Sequence, residues 1–141
     1  LVRARGNVID HEETVMDRVA TAILRSRDKV LLCHRRADRA WYPDVWDLPG
    51  GHVEPEESPR EALSRELREE LGVDVRLPEA SSAKILYEDG IEFHLWVVSE
   101  WDGEVRNAAE DEHDAIGWFT RPEVEGLPLA SDTYLDLLFD D

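Results

Sequence analysis

Apolar residues recur along this chain at two spacings. Leu63, Leu67 and Leu71 lie four apart, which on a helix stacks them into one stripe. Further on the spacing drops to two. Phe93, Leu95 and Val97 alternate with His94, Trp96 and Val98, as on a strand with one face covering a helix and the other free to floor a pocket. Residues 15–24 and 29–34 flank Ser26-Arg27-Asp28 and read as a hairpin. Residues 85–87 pair with 91–100 around Asp89-Gly90, a strong two-residue turn signal. Asp102-Gly103 marks another turn and residues 116–120 a late strand. Residues 131–139 read as a closing helix with Leu135, Leu138 and Phe139 on its apolar face. Strands around one long early helix, closed by a second, predict an α/β protein with a mixed β-sheet between helical layers. Without repeats or linkers, residues 1–141 read as one domain.

The long helix has marked ends. Ser58-Pro59-Arg60-Glu61 is a capping box with proline at the first helical position, and Gly72 suits a left-handed residue just past the end, so the helix runs from Pro59 to Leu71. At 100° per residue, Glu66, Glu69 and Glu70 fan over about 100° beside the leucine stripe. Three like charges so placed repel by a few tenths of a kcal/mol per pair even on an exposed helix. A hard divalent cation removes that cost, and all-oxygen ligation suits Mg²⁺ or Mn²⁺ rather than zinc. The alternative is a solvated acidic face. Trp46-Asp47-Leu48-Pro49-Gly50-Gly51 favours a site, because two adjacent glycines let backbone approach a ligand and leave a carbonyl free for a metal.

Composition narrows the partners. The 141 residues carry 33 acidic and 16 basic side chains, a net charge of −17, which argues against DNA or RNA backbones and anionic membrane surfaces. A small anionic substrate would have to arrive with metal. Cys33 is the only cysteine and sits in an apolar strand, so it reads as a buried thiol and a reducing cytosol is expected. No window is long and apolar enough for a membrane span, and residues 1–10 do not resemble a signal peptide.

Other side chains offer weaker chemistry. Glu110, Asp111, Glu112 and Asp114 form an acidic loop before Trp118, and Arg35 and Arg36 follow the strand that ends near His34. Arginine binds phosphate bidentately, so this pair is either a phosphate site or a solvated pair. Trp41, Tyr42, Trp46 and Trp96 could stack on a nucleobase or fill the core. Histidines at 11, 34, 52, 94 and 113 show no metal-ligand spacing, and none is assigned a role.

From Gly51 to Val73 the chain reads GHVEPEESPREALSRELREELGV. It satisfies all nine positions of G-x5-E-x7-R-E-U-x-E-E-x-G-U, U being aliphatic, a pattern met by chance in such a chain on the order of 10⁻⁸ of the time. The chain therefore resembles the Nudix hydrolases. Through residues 31–51, 94–104 and 127–135 it resembles, less specifically, their MutT-type branch.

The resemblance implies an α/β/α Nudix fold in which Gly51, Glu57 and Gly72 are structural and Glu57 pairs with Arg65. It implies a metal site built from the Gly50 carbonyl, Glu66, Glu69, Glu70 and the loop residue Glu112, with Glu110 second. Glu66, next to Arg65, holds the catalytic position, and Glu112 competes as base. Arg36, with Arg35, stands where relatives bind phosphate. The base-reading asparagine of MutT-type relatives is replaced by Ser131, followed by Asp132, facing the Trp96 strand across the expected base pocket. The implied reaction is Mg²⁺-dependent, with Mn²⁺ able to substitute. It takes a nucleoside triphosphate, 8-oxo-dGTP among the options, to a nucleoside monophosphate and pyrophosphate. Dinucleoside polyphosphates, nucleotide sugars, or nucleotide binding without turnover are the alternatives.

Overall fold

The computed structural model describes residues 17–79 and 83–139; Val15 and Met16 of the expected first strand, His11 and residues 1–10 lie outside them. In chain order the elements are β1 (Asp17–Ser26), β2 (Lys29–Arg35), β3 (Trp46–Asp47), β4 (Gly50–His52), α1 (Pro59–Leu71), β5 (Asp74–Val75), β6 (Lys84–Glu88), β7 (Ile91–Val98), β8 (Trp101–Asp102), β9 (His113–Phe119), α2 (Arg121–Glu125) and α3 (Tyr134–Leu138). The main sheet is mixed, in the order β3-β2-β1-β7-β6, with β4 added to β1 and β9 to β2. β5 and β8 form a separate antiparallel pair.

β1 organises the sheet. It runs parallel to β7 from Asp17 opposite Ile91 to Leu24 opposite Val98, and on its other edge Val19, Ala20 and Thr21 take β4. The expected hairpin with β2 is therefore brief, pairing only Arg25 with Val30 and Ser26 with Lys29. β6 and β7 pair as read from the sequence, and Asp89 and Gly90 both take positive φ, 54° and 75°, as a tight hairpin turn requires.

Two apolar layers sandwich the sheet. Ala20, Ala22 and Leu24 of β1 and Trp96 and Val98 of β7 pack on Leu63, Leu67 and Leu71 of α1, while Ile23, Leu32 and Leu95 face Val124 of α2 and Leu138 of α3. The even-numbered face of β7 thus covers the long helix, and the odd-numbered face belongs to the opposite layer. α1 has the ends that its sequence specifies. Ser58 Oγ accepts from the Glu61 amide, Glu61 returns the bond to the Ser58 amide, and Gly72 is left-handed at φ 72°.

Two departures concern the closing segment. The expected helix over 131–139 begins only at Tyr134, because Ser131 Oγ accepts from the Thr133 amide at 3.3 Å and holds the preceding residues in a turn. An unexpected short helix, α2, precedes it, started by Thr120 and Glu123 in a second capping box with Pro122 in its first turn.

Candidate active site

Three segments meet at one end of the sheet and enclose a cavity of about 500 Å³. α1 contributes Glu66 and Glu70, the loop before β9 contributes Glu112, and the doublet Gly50-Gly51 lies against the two α1 carboxylates. A Cβ at Gly51 would overlap the Glu66 carboxylate, so a side chain there would displace Glu66 from its present place. The Gly50 amide donates to Glu70 Oε1 at 3.0 Å, tying the loop to the helix. Glu66 and Glu70 are one helical turn apart and share a face, 40° from each other, whereas Glu69 lies 60° to the other side of Glu66. Its side chain is 59% exposed, bonds Arg65 and does not line the cavity. Of the three carboxylates expected to act together, the helix delivers two.

Arg65 supports them. Its Nε and Nη2 donate to the two Glu57 oxygens at 2.6 and 2.9 Å, Nη1 donates to Glu66 Oε2 at 3.0 Å, and Nη2 also reaches the His52 carbonyl at 3.1 Å. The pair holds Glu57 down at about 2, through the Arg65 hydrogen bonds first. Glu57 and Arg65 are thus joined as the resemblance implied, and one guanidinium orients Glu66.

The carboxylates themselves are under electrostatic stress. Burial pushes Glu66 above its ordinary value against the lowering effect of Arg65, with Glu69 and Glu112 adding to the rise. Glu70 is only 4% exposed; burial, then Glu66, pushes it well above the usual carboxylate range, and Glu112 contributes as well. Such a set calls for positive charge. One carboxylate oxygen each from Glu70 and Glu112 and one ring nitrogen of His113 lie within 4.8 Å of one another. This donor set fits a divalent cation, with Glu66 beside it. Glu112 occupies this position and Glu110 stands exposed outside.

Cationic and aromatic groups line the rest of the cavity. Arg35 and Arg39 lie on its wall. Arg35 donates to the Trp41 and Tyr42 carbonyls, while Arg39 makes no side-chain hydrogen bond or ion pair among the described residues. Arg36 does not line the cavity. It is held by Asp38 at 3.0 and 3.1 Å, and its amide donates to the Glu112 carbonyl at 3.2 Å, so it positions the acidic loop. Trp41 and Tyr42 are exposed at the rim, and the Tyr42 hydroxyl donates to Asp89 at 3.2 Å.

Val19, Ile91 and Phe93 give the lining apolar surface, with polar groups beside them. Asp47 Oδ1 accepts from the Tyr134 hydroxyl at 2.7 Å and the Leu48 amide at 2.8 Å, and Ser131 Oγ donates to Glu88. Asp132 is exposed and off the wall, because the turn that shortens α3 points Ser131 inward instead. Trp96 is also absent from the wall. It is 5% exposed and packed in the α1 layer, since its even-numbered face of β7 is the one that covers the helix.

Sequence reasoning assigned nothing to His113, Arg39, Asp47 or Glu88. Asp47 and Glu88 had legible positions, next to the glycine doublet and at the start of a tight turn. His113 had less: a bulge between His34 and Arg35 of β2 against the start of β9 breaks the alternation, so counting back from Trp118 does not place it.

A cavity lined by carboxylates, guanidinium groups and apolar side chains suits a phosphorylated ligand bound with a divalent cation. Comparison with known proteins agrees. A model of the NUDIX domain matches residues 16–138. The chain is 39% identical over 119 residues to CTP pyrophosphohydrolase of Escherichia coli K12, covering 82% of this chain and 84% of that protein. It is 31% identical over 128 residues to nucleoside triphosphatase NudI of an Enterobacter species, covering 83% and 91%. Among solved structures, a MutT Nudix hydrolase from Burkholderia pseudomallei superposes with a TM-score of 0.77 at 26% identity, covering 89% of this chain and 98% of that one. The chain belongs to the Nudix family. It is a Nudix hydrolase, with the mixed-sheet α/β fold of that family.

Proposed function

We propose that this hydrolase cleaves nucleoside triphosphates to a nucleoside monophosphate and pyrophosphate with the help of Mg²⁺ or Mn²⁺. The observation that carries the reading is one cavity lined by Glu66, Glu70 and Glu112, by Arg35 and Arg39, and by Val19, Ile91 and Phe93 with Asp47, Glu88 and Ser131. The base is assigned to this last group. The curated relative named for CTP supports it. Bound divalent metal supplies charge neutralisation of the phosphates and activation of the attacking water. Glu70 and Glu112 would hold it, with Gly50 at the same wall.

Glu66 is the proton acceptor of this reading. Its burial raises its proton affinity above the ordinary carboxylate value, the direction that favours a general base, and Arg65 fixes its orientation. Arg39 and Arg35 take the phosphates. Arg39→Ala is expected to raise KM roughly 10-fold or more for every nucleotide, the worth of one charge-assisted hydrogen bond. Arg36→Ala keeps the backbone bond to Glu112 and should leave KM nearly unchanged. Equal KM losses in the two variants would show that the phosphates lie elsewhere.

The base end is rich in acceptors. Asp47 and Glu88 favour a base that presents an amino group, as cytosine does, because a carbonyl in that place would leave buried groups unpaired. A phosphate-release screen across nucleotides, coupled to inorganic pyrophosphatase, tests the reaction. CTP and dCTP should lead. Asp47→Asn should cut the preference for cytosine over uracil about 10-fold or more, while Asp132→Ala leaves the ranking unchanged. Absence of pyrophosphate release from every triphosphate would sink the reading. In ¹⁸O-water the label is expected in pyrophosphate, from attack at the β-phosphorus; label in the monophosphate would move the attack to the α-phosphorus.

A further inference from the structure

We infer that His113 supplies an imidazole nitrogen to the cation held by Glu70 and Glu112, so that the site is a mixed nitrogen and oxygen site rather than an all-oxygen one. The inference rests on the metal-dependent reading above and adds a ligand to it. Two independent observations carry it. The first is proximity, since one ring nitrogen lies within 4.8 Å of a carboxylate oxygen of each glutamate. The second is that His113 is 3% exposed and its buried Nδ1 has no hydrogen-bond partner among the described residues.

A buried ring nitrogen without a partner costs about 1–3 kcal/mol and calls for one. Trp96 Nε1 is also unpartnered among the described residues, but it lies in the apolar α1 layer, whereas His113 lies beside two carboxylates. The backbone around His113 is well anchored. Its amide donates to the Ala109 carbonyl at 3.0 Å, and its own carbonyl accepts from Asn107 Nδ2 at 2.8 Å. The ring is therefore held in place by its main chain, between Arg35 across the strand pair and the two carboxylates. Neither observation gives the ring a protein partner among the described residues, and a cation between Glu70 and Glu112 would supply one.

The choice of ion follows. Mg²⁺ is held by oxygen and dehydrates reluctantly, whereas affinity for a site that includes nitrogen rises along the first transition row from Mn²⁺ to Co²⁺ and beyond. The site should therefore prefer Co²⁺, and to a smaller degree Mn²⁺, over Mg²⁺ by more than its carboxylates alone would.

Pulsed electron paramagnetic resonance of Mn²⁺ added to the full chain, without nucleotide, tests this directly. The echo should carry modulation from a directly bound ¹⁴N, changing to the ¹⁵N pattern in protein made with ¹⁵N-histidine. His113→Asn should lose the coupling, and His52→Asn, whose parent side chain also lines the cavity, should keep it. In calorimetric titrations with each metal alone, His113→Asn should lower the ratio of Co²⁺ to Mg²⁺ affinity at least about 10-fold, the smallest loss that follows removal even of the outer partners of metal ligands. The wild-type spectrum decides by itself if the variant fails to fold. Bound Mn²⁺ without nitrogen coupling, or with coupling that His52→Asn abolishes, overturns the role of His113 and leaves the carboxylate site standing. No bound Mn²⁺ at all overturns both.

Discussion

Glu70→Gln is expected to lower kcat by at least about 10³, the loss of several kcal/mol of metal-assisted stabilisation, and at the same time to stabilise the metal-free fold. The two effects have one origin. Glu70 is buried beside Glu66 with its proton affinity raised well above the usual range, so its contribution to stability is fully present only below its unfolded value and is lost as pH rises. At neutral pH its burial costs stability. Glutamine removes the charge and keeps a carbonyl oxygen for the Gly50 amide. The thermal midpoint in EDTA should rise at pH 7 to 8, by about 3 °C for each kcal/mol recovered, and the gain should shrink toward pH 4. Melting curves of both proteins across that range, with initial rates in Mg²⁺, measure both effects. A midpoint that falls together with the rate would make Glu70 a structural residue.

Chelation is expected to reduce turnover to background, and Mg²⁺ or Mn²⁺ to restore it. Without metal the cavity presents Glu66, Glu70 and Glu112 to a polyphosphate, in a chain of net charge −17. Each carboxylate and phosphate charge at about 4 Å repels by about 4 kcal/mol at an effective dielectric constant of about 20. Arg35 and Arg39 cannot offset three such pairs. The free protein should therefore fail to bind nucleotide, as well as fail to turn it over, when titrated in EDTA. Undiminished hydrolysis under excess chelator would remove the mechanism.

The parts of this molecule that were legible in its sequence are those whose causes are local. α1 runs from Pro59 to Leu71 because its caps and its leucine stripe are written in adjacent residues. The Glu57 and Arg65 pair was implied by the resemblance, and the doublet Gly50-Gly51 stood in the segment from Trp46 to Gly51. What was not legible depended on which face of a strand turned which way. Trp96 and Phe93 have the same pattern around them, and only the packing of α1 decides that Trp96 is core and Phe93 lines the cavity. Arg36 and Arg39 were separated by an ion pair to Asp38 that spacing does not reveal. Glu69 looked equivalent to its neighbours until helix geometry was combined with the place of the cavity. Ser131 and Asp132 were distinguished by a side-chain bond to the Thr133 amide, one contact that delays the start of a predicted helix to Tyr134.

The parallel pairing of β1 with β7 joins strands from opposite halves of the chain, and the carboxylate wall depends on it, since β4 and the glycine doublet hang on the other edge of β1. Long-range pairing of this kind forms late in folding, after its chain-closure entropy has been met. No fragment that ends before Ile91 can hold the cavity together. Metal and nucleotide therefore act only on the complete fold, stabilising it by mass action. β1 amides should be the slowest to exchange with deuterium, and added ligand should slow them further while leaving the exposed 41–44 loop governed by its own local opening.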